Sequence, residues 1–289
     1  MIVVTGATGQ LGRLVIKALM RVVPRNQIVA ATRSPDNARD LADFGVIVRE
    51  ADYTRPDTLR TAFAGAEKLL LISSSEIGQR VAQHRAVIDA AKAAGVKLIA
   101  YTSILRADTS PLGLAKEHLA TEVMLKESGV PFVLLRNGWY TENYTRSMDI
   151  VLQLGMLIGN AGDGLISSAA RADYAEAAAA VLTRDNQAGA IYELAGDDAY
   201  TLTGLANEIT SQTDTVVVYK NMSEAEHKAA LMQFALPEPV AAMLADSDAG
   251  AAKGALYDDG QQLSRLIGRM TTPIENTVGD ALARTIART

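Results

Sequence analysis

An α/β fold, a doubly wound parallel sheet with a smaller C-terminal α/β lobe, is what this sequence predicts. Three observations carry that expectation. The first 140 residues alternate short apolar runs with longer segments of helical apolar spacing. Helix-like segments close on a glycine, as at Gly65, Gly95 and Gly129. The opening run MIVV passes straight into Gly6, Gly9 and Gly12, spaced by three. Near-continuous apolar strands alternating with helices imply a parallel sheet covered on both faces, and right-handed crossovers then wind it doubly.

Taken in order, strands are expected at 1–4, 27–33, 46–53, 68–75, 96–103 and 130–140. Between them lie helix-like segments at 10–23, 36–44, 57–65, 80–95 and 114–129. Ser34 is suited to N-cap the second of these, with Pro35 in its first turn. After residue 140 the rhythm changes. NYTRSMDIVLQLG reads as helix, GNAGDGLIS as a glycine-rich loop, DYAEAAAAVLTRD as an alanine-rich helix and 189–196 as a further strand. A helix (203–212) and a strand (215–221) follow, and Ser223 with Glu226 forms a capping box for another helix. Residues 246–262, polar and glycine-dotted, read as a loop that could close over a substrate, and Thr272, Pro273 and Glu275 begin a last helix. The division expected is a dinucleotide-binding domain at 1–140, with the returning strand near 189–196, and a smaller substrate-side lobe at 141–188 and 197–289. Ligands of such sheets bind beyond the carboxyl ends of the strands where the winding reverses.

Composition narrows the partners. The 48% hydrophobic and 21% charged fractions are those of a globular protein. A net charge of -5 with no basic tail argues against nucleic acid. No cysteine is present, which excludes disulfides and thiolate chemistry. A strand at the first residue leaves no room for a secretion leader, and no apolar run approaches a membrane span. The expectation is a soluble cytoplasmic protein, monomer or homodimer.

The glycines follow a strand and open a helix, the context of a Rossmann-type dinucleotide fingerprint, here G-x-x-G-x-x-G. Gly6 permits the turn, Gly9 lets a diphosphate approach the amides, and Gly12 lets helix and strand pack closely. The helix N-terminus supplies the field for the phosphates. An NAD site usually carries an acid about 20 residues further on. Here the second strand ends in Ala31-Thr32-Arg33 with no carboxylate before Asp36. Arg33 is suited to a 2′-phosphate, which favours NADP(H); the bland alternative is a solvated arginine.

At this point the chain resembles a family. TGATGQLG, ATR, ADY, LLLISSS and LLRNGWYTEN, with GDGLISSAARADYAEAAAAVL and DSDAGAAKGALYDD further on, resemble the NmrA-like branch of the atypical short-chain dehydrogenase/reductases. Within it the match is nearest to bacterial NADPH:quinone oxidoreductases, with triphenylmethane-dye reductases next, and it runs essentially end to end. The resemblance implies that the loop Gly6, Ala7, Thr8, Gly9, Gln10, Leu11 and Gly12 binds the diphosphate and Arg33 the 2′-phosphate. It implies that Asp52 faces the adenine and that Ser73, Ser74 and Ser75 lie near the nicotinamide half. Asn137, Gly138, Trp139 and Tyr140 would line the nicotinamide and substrate pocket. The bland alternatives are a serine-terminated strand and a core tryptophan.

The Y-x-x-x-K dyad of ordinary short-chain dehydrogenases is absent, since none of the nine tyrosines is followed four residues on by lysine. His118 falls near the expected lysine place and stands with Trp139 and Tyr140 as a candidate substrate residue. Hydride addition to a ketone makes a strongly basic alkoxide that needs a positioned acid. Addition to a quinone makes a phenolate-like anion, whose conjugate acid ionises near pH ~10, and which takes its proton from water. The pattern suits a flat aromatic acceptor such as a quinone, or a cationic dye, held against Trp139 and Tyr140, without flavin or metal. The groups that transfer protons are not identified by the sequence. His84, His118 and His227 lack ligand spacing and read as surface or internally satisfied residues, and most carboxylates read as solvated helix faces. A redox sensor acting through a protein partner remains open, and a sugar-nucleotide epimerase is a more distant alternative.

Overall fold

The structure, a computed structural model, describes residues 1–286. Its strands are β1 (Ile2–Val4), β2 (Ile28–Thr32), β3 (Ile47–Glu50), β4 (Lys68–Leu71), β5 (Leu98–Ile104), β6 (Phe132–Asn137), β7 (Met156–Gly159), β8 (Ile191–Leu194) and β9 (Val218–Asn221). Among the described residues, a seven-stranded sheet runs β3-β2-β1-β4-β5-β6-β8. All its neighbours are parallel. The chain winds one way from β1 to β3 and then the other from β4, so the winding reverses between β1 and β4. By the general rule for such sheets, that is where a ligand crevice opens.

Both faces are buried, which is why β2 and β5 are buried at every position. One face carries Val3, Val29, Leu69, Leu71, Ile99 and Tyr101 into a core with Leu59, Val87 and Leu125 from the helices Pro56–Ala62, Arg80–Ala93 and Ala115–Ser128, and with Phe63, which caps the first of them. On the other, the helix Gln10–Leu19 packs against Arg171–Thr183.

Two compact units result. The first comprises 1–108, 116–137 and 171–194; the second comprises 109–115, 138–170 and 195–289. The alanine-rich helix Arg171–Thr183, expected in the smaller lobe, belongs to the first unit. Its buried Ala175, Ala177, Ala178 and Ala179 allow close approach to a neighbour, and Val15, Ile16 and Leu19 supply an apolar face. The strand expected near 189–196 returns as β8 beside β6.

Two local expectations are corrected, and one element is added. Ser34 gives no side-chain cap, and Pro35–Ala38 is a 3-10 turn leading into Arg39–Asp43. The Ser34 amide instead donates to the Thr32 hydroxyl at 3.3 Å. Residues 246–251 are the end of the helix Glu238–Ala251 rather than loop. A strand not foreseen, β7, pairs with β9 in a parallel two-stranded sheet of the second unit. The capping box of Ser223 and Glu226 is present as expected. Among the described residues, no helix is long and apolar enough to cross a membrane.

Candidate dinucleotide site

The glycine corner joins β1 to the helix Gln10–Leu19. Gly6 has φ +59°, a left-handed turn that a side chain would strain. A Cβ at Gly12 would overlap the Gly6 carbonyl and come within 2.8 Å of the Ala7 backbone. A Cβ at Gly9 would meet only the Gly6 carbonyl oxygen, at 3.2 Å. The first amide of the helix to find its carbonyl is Arg13, donating to Gly9 at 3.0 Å. The amides of Gln10, Leu11 and Gly12 therefore have no earlier helical carbonyl to bond. No acidic residue lies in that first turn to compete with an anion. The corner is fixed to β2, since the Ala7 amide donates to the Ala31 carbonyl at 3.2 Å and the Thr8 and Thr32 hydroxyls are 2.9 Å apart. These features fit a dinucleotide diphosphate.

At the end of β2 the exposed Arg33 guanidinium pairs with Glu76 at 2.7 Å. Gln83 holds the other Glu76 oxygen at 2.6 Å. The Asp52 carboxylate accepts the Thr54 amide at 2.9 Å and its hydroxyl at 2.7 Å. Partial burial works to raise its pKa, but the two Thr54 bonds and the nearby Arg33 charge outweigh it and hold it below 3.8. Asp52 thus stays ionised beside Arg33. Next to it lies a residue the sequence did not mark, Tyr53. Its hydroxyl donates to the Thr5 hydroxyl at 2.6 Å, and the Thr5 oxygen accepts the Ile72 amide at 3.1 Å and donates to the Leu70 carbonyl at 3.0 Å. Thr5 and Tyr53 therefore pin the ends of β1 and β4 where the winding reverses.

β4 ends at Leu71, and Ser73, Ser74 and Ser75 follow it into a bend at Ser75, where the chain turns with the Glu76 amide donating to the Ser74 hydroxyl at 3.2 Å. The Ser73 amide donates to Thr102, at 2.9 Å, and the Ser74 amide to His84 Nε2, at 3.0 Å. His118 stands apart from this turn. Its Nδ1 lies 2.7 Å from the Tyr101 hydroxyl, and Tyr101 in turn packs edge-on against His84. All three histidines are buried, so the internally satisfied reading holds and the surface one does not.

At the end of β6, Asn137 is buried and its carbonyl accepts the Leu105 amide at 2.9 Å. Beneath it sits a buried ionic cluster that the sequence concealed. Arg136 binds Glu122 through Nε at 3.0 Å and Nη2 at 2.7 Å, and Glu193 through Nη1 at 2.8 Å. Ser103 donates to Glu122 at 2.5 Å. Glu122 is thus one of the few helix carboxylates turned away from solvent. The visible signal was Arg136 itself, a charge inside the apolar run VPFVLLRNG.

Gly138, Trp139 and Tyr140 lie in the second unit. Trp139 is buried, with its ring centroid 6.4 Å from that of Tyr144. The Tyr144 hydroxyl donates to Asp248 at 3.1 Å, and the other Asp248 oxygen accepts the Asn160 amide at 3.1 Å. His227 Nδ1 donates to the Asn160 side-chain oxygen at 2.5 Å. Burial pushes the Asp248 pKa up to about 6, against the pull of Asn160 and Tyr144. Burial also pushes His227 down to about 4. For Asp248 the stabilising contribution is complete below 3.8 and lost as pH rises through about 6. For His227 the sign is opposite: the contribution is complete above 6.5 and lost as pH falls through about 4. Asp248→Asn removes the first effect. Its stability relative to the parent should therefore rise between pH 4 and 7, by an amount approaching about 3 kcal/mol. Urea unfolding at a series of pH values checks this, and a flat difference would refute the assigned sign.

The corner, the reversal point and the parallel order define a dinucleotide-binding protein of the doubly wound α/β class. Comparison with known proteins sharpens this. The chain belongs to the NAD(P)H-binding family, whose model it matches over residues 6–185, and to its NmrA-like branch. It is 59% identical to quinone oxidoreductase 2 of Escherichia coli K12 over 278 residues, 96% of this chain and 97% of that protein. The crystal structure of an NADPH-dependent quinone oxidoreductase of Escherichia coli complexed with NADPH superposes with a TM-score of 0.95 at 58% identity, covering 98% of this chain and 100% of that one. The triphenylmethane reductase of Citrobacter, complexed with NADP(H), gives a TM-score of 0.93 at 39% identity over 97% of this chain and 100% of that one. An NmrA-like domain-containing oxidoreductase of Aspergillus flavus is 31% identical over 77% of this chain and 75% of that protein.

Proposed function

We propose that this protein reduces quinones with NADPH by direct hydride transfer, without flavin or metal. The observation that carries the reading is the near-full-length identity to the Escherichia coli quinone oxidoreductase. NADPH, when bound, supplies the hydride. The chain's own residues bind and orient. The amides of Gln10, Leu11 and Gly12 meet the diphosphate, Arg33 leaves Glu76 for the 2′-phosphate, and Asp52 faces the adenine. Ser73, Ser74, Ser75 and Asn137 border the nicotinamide half. Gly138, Trp139 and Tyr140 border the acceptor, with flat rings suited to a flat substrate. Rate acceleration then rests on close, aligned placement, since the product anion needs no positioned acid. We also place the protein in the cytoplasm, as a monomer or homodimer with no nucleic-acid partner.

The direct test is NADPH oxidation by the purified protein, which should be colourless, with a simple benzoquinone and, separately, with a small ketone. Turnover is expected with the quinone and little with the ketone. If NADPH binds but no quinone or cationic dye oxidises it, a sensor role replaces this one.

Two variants test the roles. Arg33→Ala should weaken NADPH by about 1.5–3 kcal/mol, roughly 10- to 100-fold, the scale of a charge-assisted bond, while leaving NADH nearly unchanged. Equal losses for both cofactors in fluorescence titrations would remove the 2′-phosphate from Arg33. Trp139→Phe keeps much of the buried ring. It should raise KM for the quinone several-fold with the NADPH Kd held within about twofold, the mark of lost acceptor placement. A change confined to the NADPH Kd would argue against that assignment.

A further inference from the structure

The buried row of rings beneath the serine turn carries an assignment of its own. The Ser74 amide can only donate, so His84 Nε2, 3.0 Å away, is an unprotonated acceptor. The ring proton must then sit on Nδ1, which donates to the Thr121 hydroxyl at 2.9 Å. Thr121 passes its own proton on to the Glu117 carbonyl at 2.9 Å. Every donor in this chain has one direction, and one tautomer satisfies it. The ring cannot easily turn. It is fully buried between Tyr53 and Tyr101, with centroids 6.5 and 5.4 Å away and both contacts near-perpendicular. Burial, helped by the Arg80 charge, holds its pKa down to about 3, so the ring stays neutral and keeps its acceptor.

The other backbone group of Ser74 is fixed as well. Its carbonyl accepts from Arg80 Nε at 2.9 Å, and the Arg80 guanidinium is paired with Glu117 at 2.7 Å, both side chains being largely buried. Glu117 also accepts the Gly78 amide at 3.1 Å, further along the same turn. Thr121 and Glu117 lie one helical turn apart on Ala115–Ser128. That helix therefore holds the turn twice, once through His84 and once through Arg80.

We propose that His84 is a positioning residue for the nicotinamide half of the cofactor, acting through the Ser74 backbone with Thr121 setting its tautomer. The assignment rests on the reading that Ser73–Ser75 lie along the nicotinamide half. It makes a selective prediction, because 2′,5′-ADP carries the adenosine end of NADPH and lacks the nicotinamide.

The test is calorimetric titration of the folded full chain with NADPH and with 2′,5′-ADP. His84→Ala should weaken NADPH about tenfold and leave 2′,5′-ADP within about twofold, since an orphaned buried donor loosens the turn alone. His84→Gln, which offers one acceptor and one donor, should recover most of the loss. Thr121→Val keeps the ring but frees its tautomer, and should show the same selective loss at a smaller factor, so the idea stays testable if His84→Ala does not fold. Parallel weakening of both ligands, or no loss in a folded His84→Ala protein, overturns the proposal. Nitrogen-15 NMR of the imidazole should find Nδ1 protonated and Nε2 bare, and a protonated Nε2 overturns it as well. Backbone NMR of the parent separates the two layers. Ser73–Ser75 amides should shift with NADPH and not with 2′,5′-ADP. If they do and His84→Ala binds normally, only the role of His84 fails; if they do not, the reading of the serine turn fails and takes the proposal with it.

Discussion

Gly9→Val is expected to weaken NADPH by at least ~100-fold, about 2.7 kcal/mol, in a protein that remains folded. The reasoning separates backbone from ligand. Gly9 has φ −71° and ψ 168°, values open to valine. It occupies the N-cap of Gln10–Leu19, where losing glycine costs under about 1 kcal/mol. A Cβ there touches the protein only at the Gly6 carbonyl, so the added methyls project into the space above the helix N-terminus. That is where a diphosphate would have to lie to reach the amides. Gly12 is the control. Even alanine there collides with Gly6 and Ala7, so Gly12→Ala should disturb the corner itself. Titration with NADPH, set against thermal melts of both variants, decides the matter. Normal NADPH affinity in folded Gly9→Val would mean that no phosphate sits at this corner.

The second large effect concerns stability. Glu122→Ala should cost about 3 kcal/mol, the lower end of the range for breaking a buried ion pair. Glu122 and Arg136 each have side chains only 7% exposed, so deletion strands a guanidinium away from water. The loss is moderated because Glu193 still holds Nη1 at 2.8 Å. Replacing both partners, Glu122→Leu with Arg136→Met, should cost less than the single change, because the guanidinium leaves with its most buried partner and Glu193, more exposed, keeps the Arg106 amide at 2.8 Å. Denaturant unfolding of the single and double variants measures this, and a double variant as unstable as the sum of its parts would contradict it.

The helices and strands of the first unit were legible because two periodicities repeat there and glycines punctuate them. β2 and β5, buried on both faces, have no polar alternation to confuse with a surface strand. Even the returning strand β8 showed itself, as IYEL after Gly189. β7 did not, because MLIG follows Gly155 directly and four residues carry no period. The helix through 246–251 was hidden by Asp246, Asp248 and Gly250, residues that usually mark a loop. They are tolerated because Asp248 is buried against Tyr144 and Asn160, and Gly250 lets Leu112 approach. The glycine corner was readable because its chemistry is local. His84, Thr5 and Tyr53 were not, because their partners lie 10 to 67 residues away and only the fold brings them together. The role of Glu122 was hidden for the same reason: nothing in a helical stretch says that it meets an arginine at the end of β6.

The first unit is stitched from three separate stretches of chain, and this bears on how it is made. A ribosome delivers β1 through β6 well before β8, so the growing sheet has an unpaired rim along β6 until residues 191–194 emerge. The apolar stripe of Val15, Ile16 and Leu19 waits still longer in relative terms, since its cover, Arg171–Thr183, is synthesised some 150 residues later. At typical elongation speeds that interval is on the order of ten seconds, long compared with the collapse of a small domain. For that time the nascent chain carries sticky surface that the finished molecule never shows. The newborn polypeptide, rather than the mature protein, is therefore the form most exposed to misassembly and most in need of a chaperone.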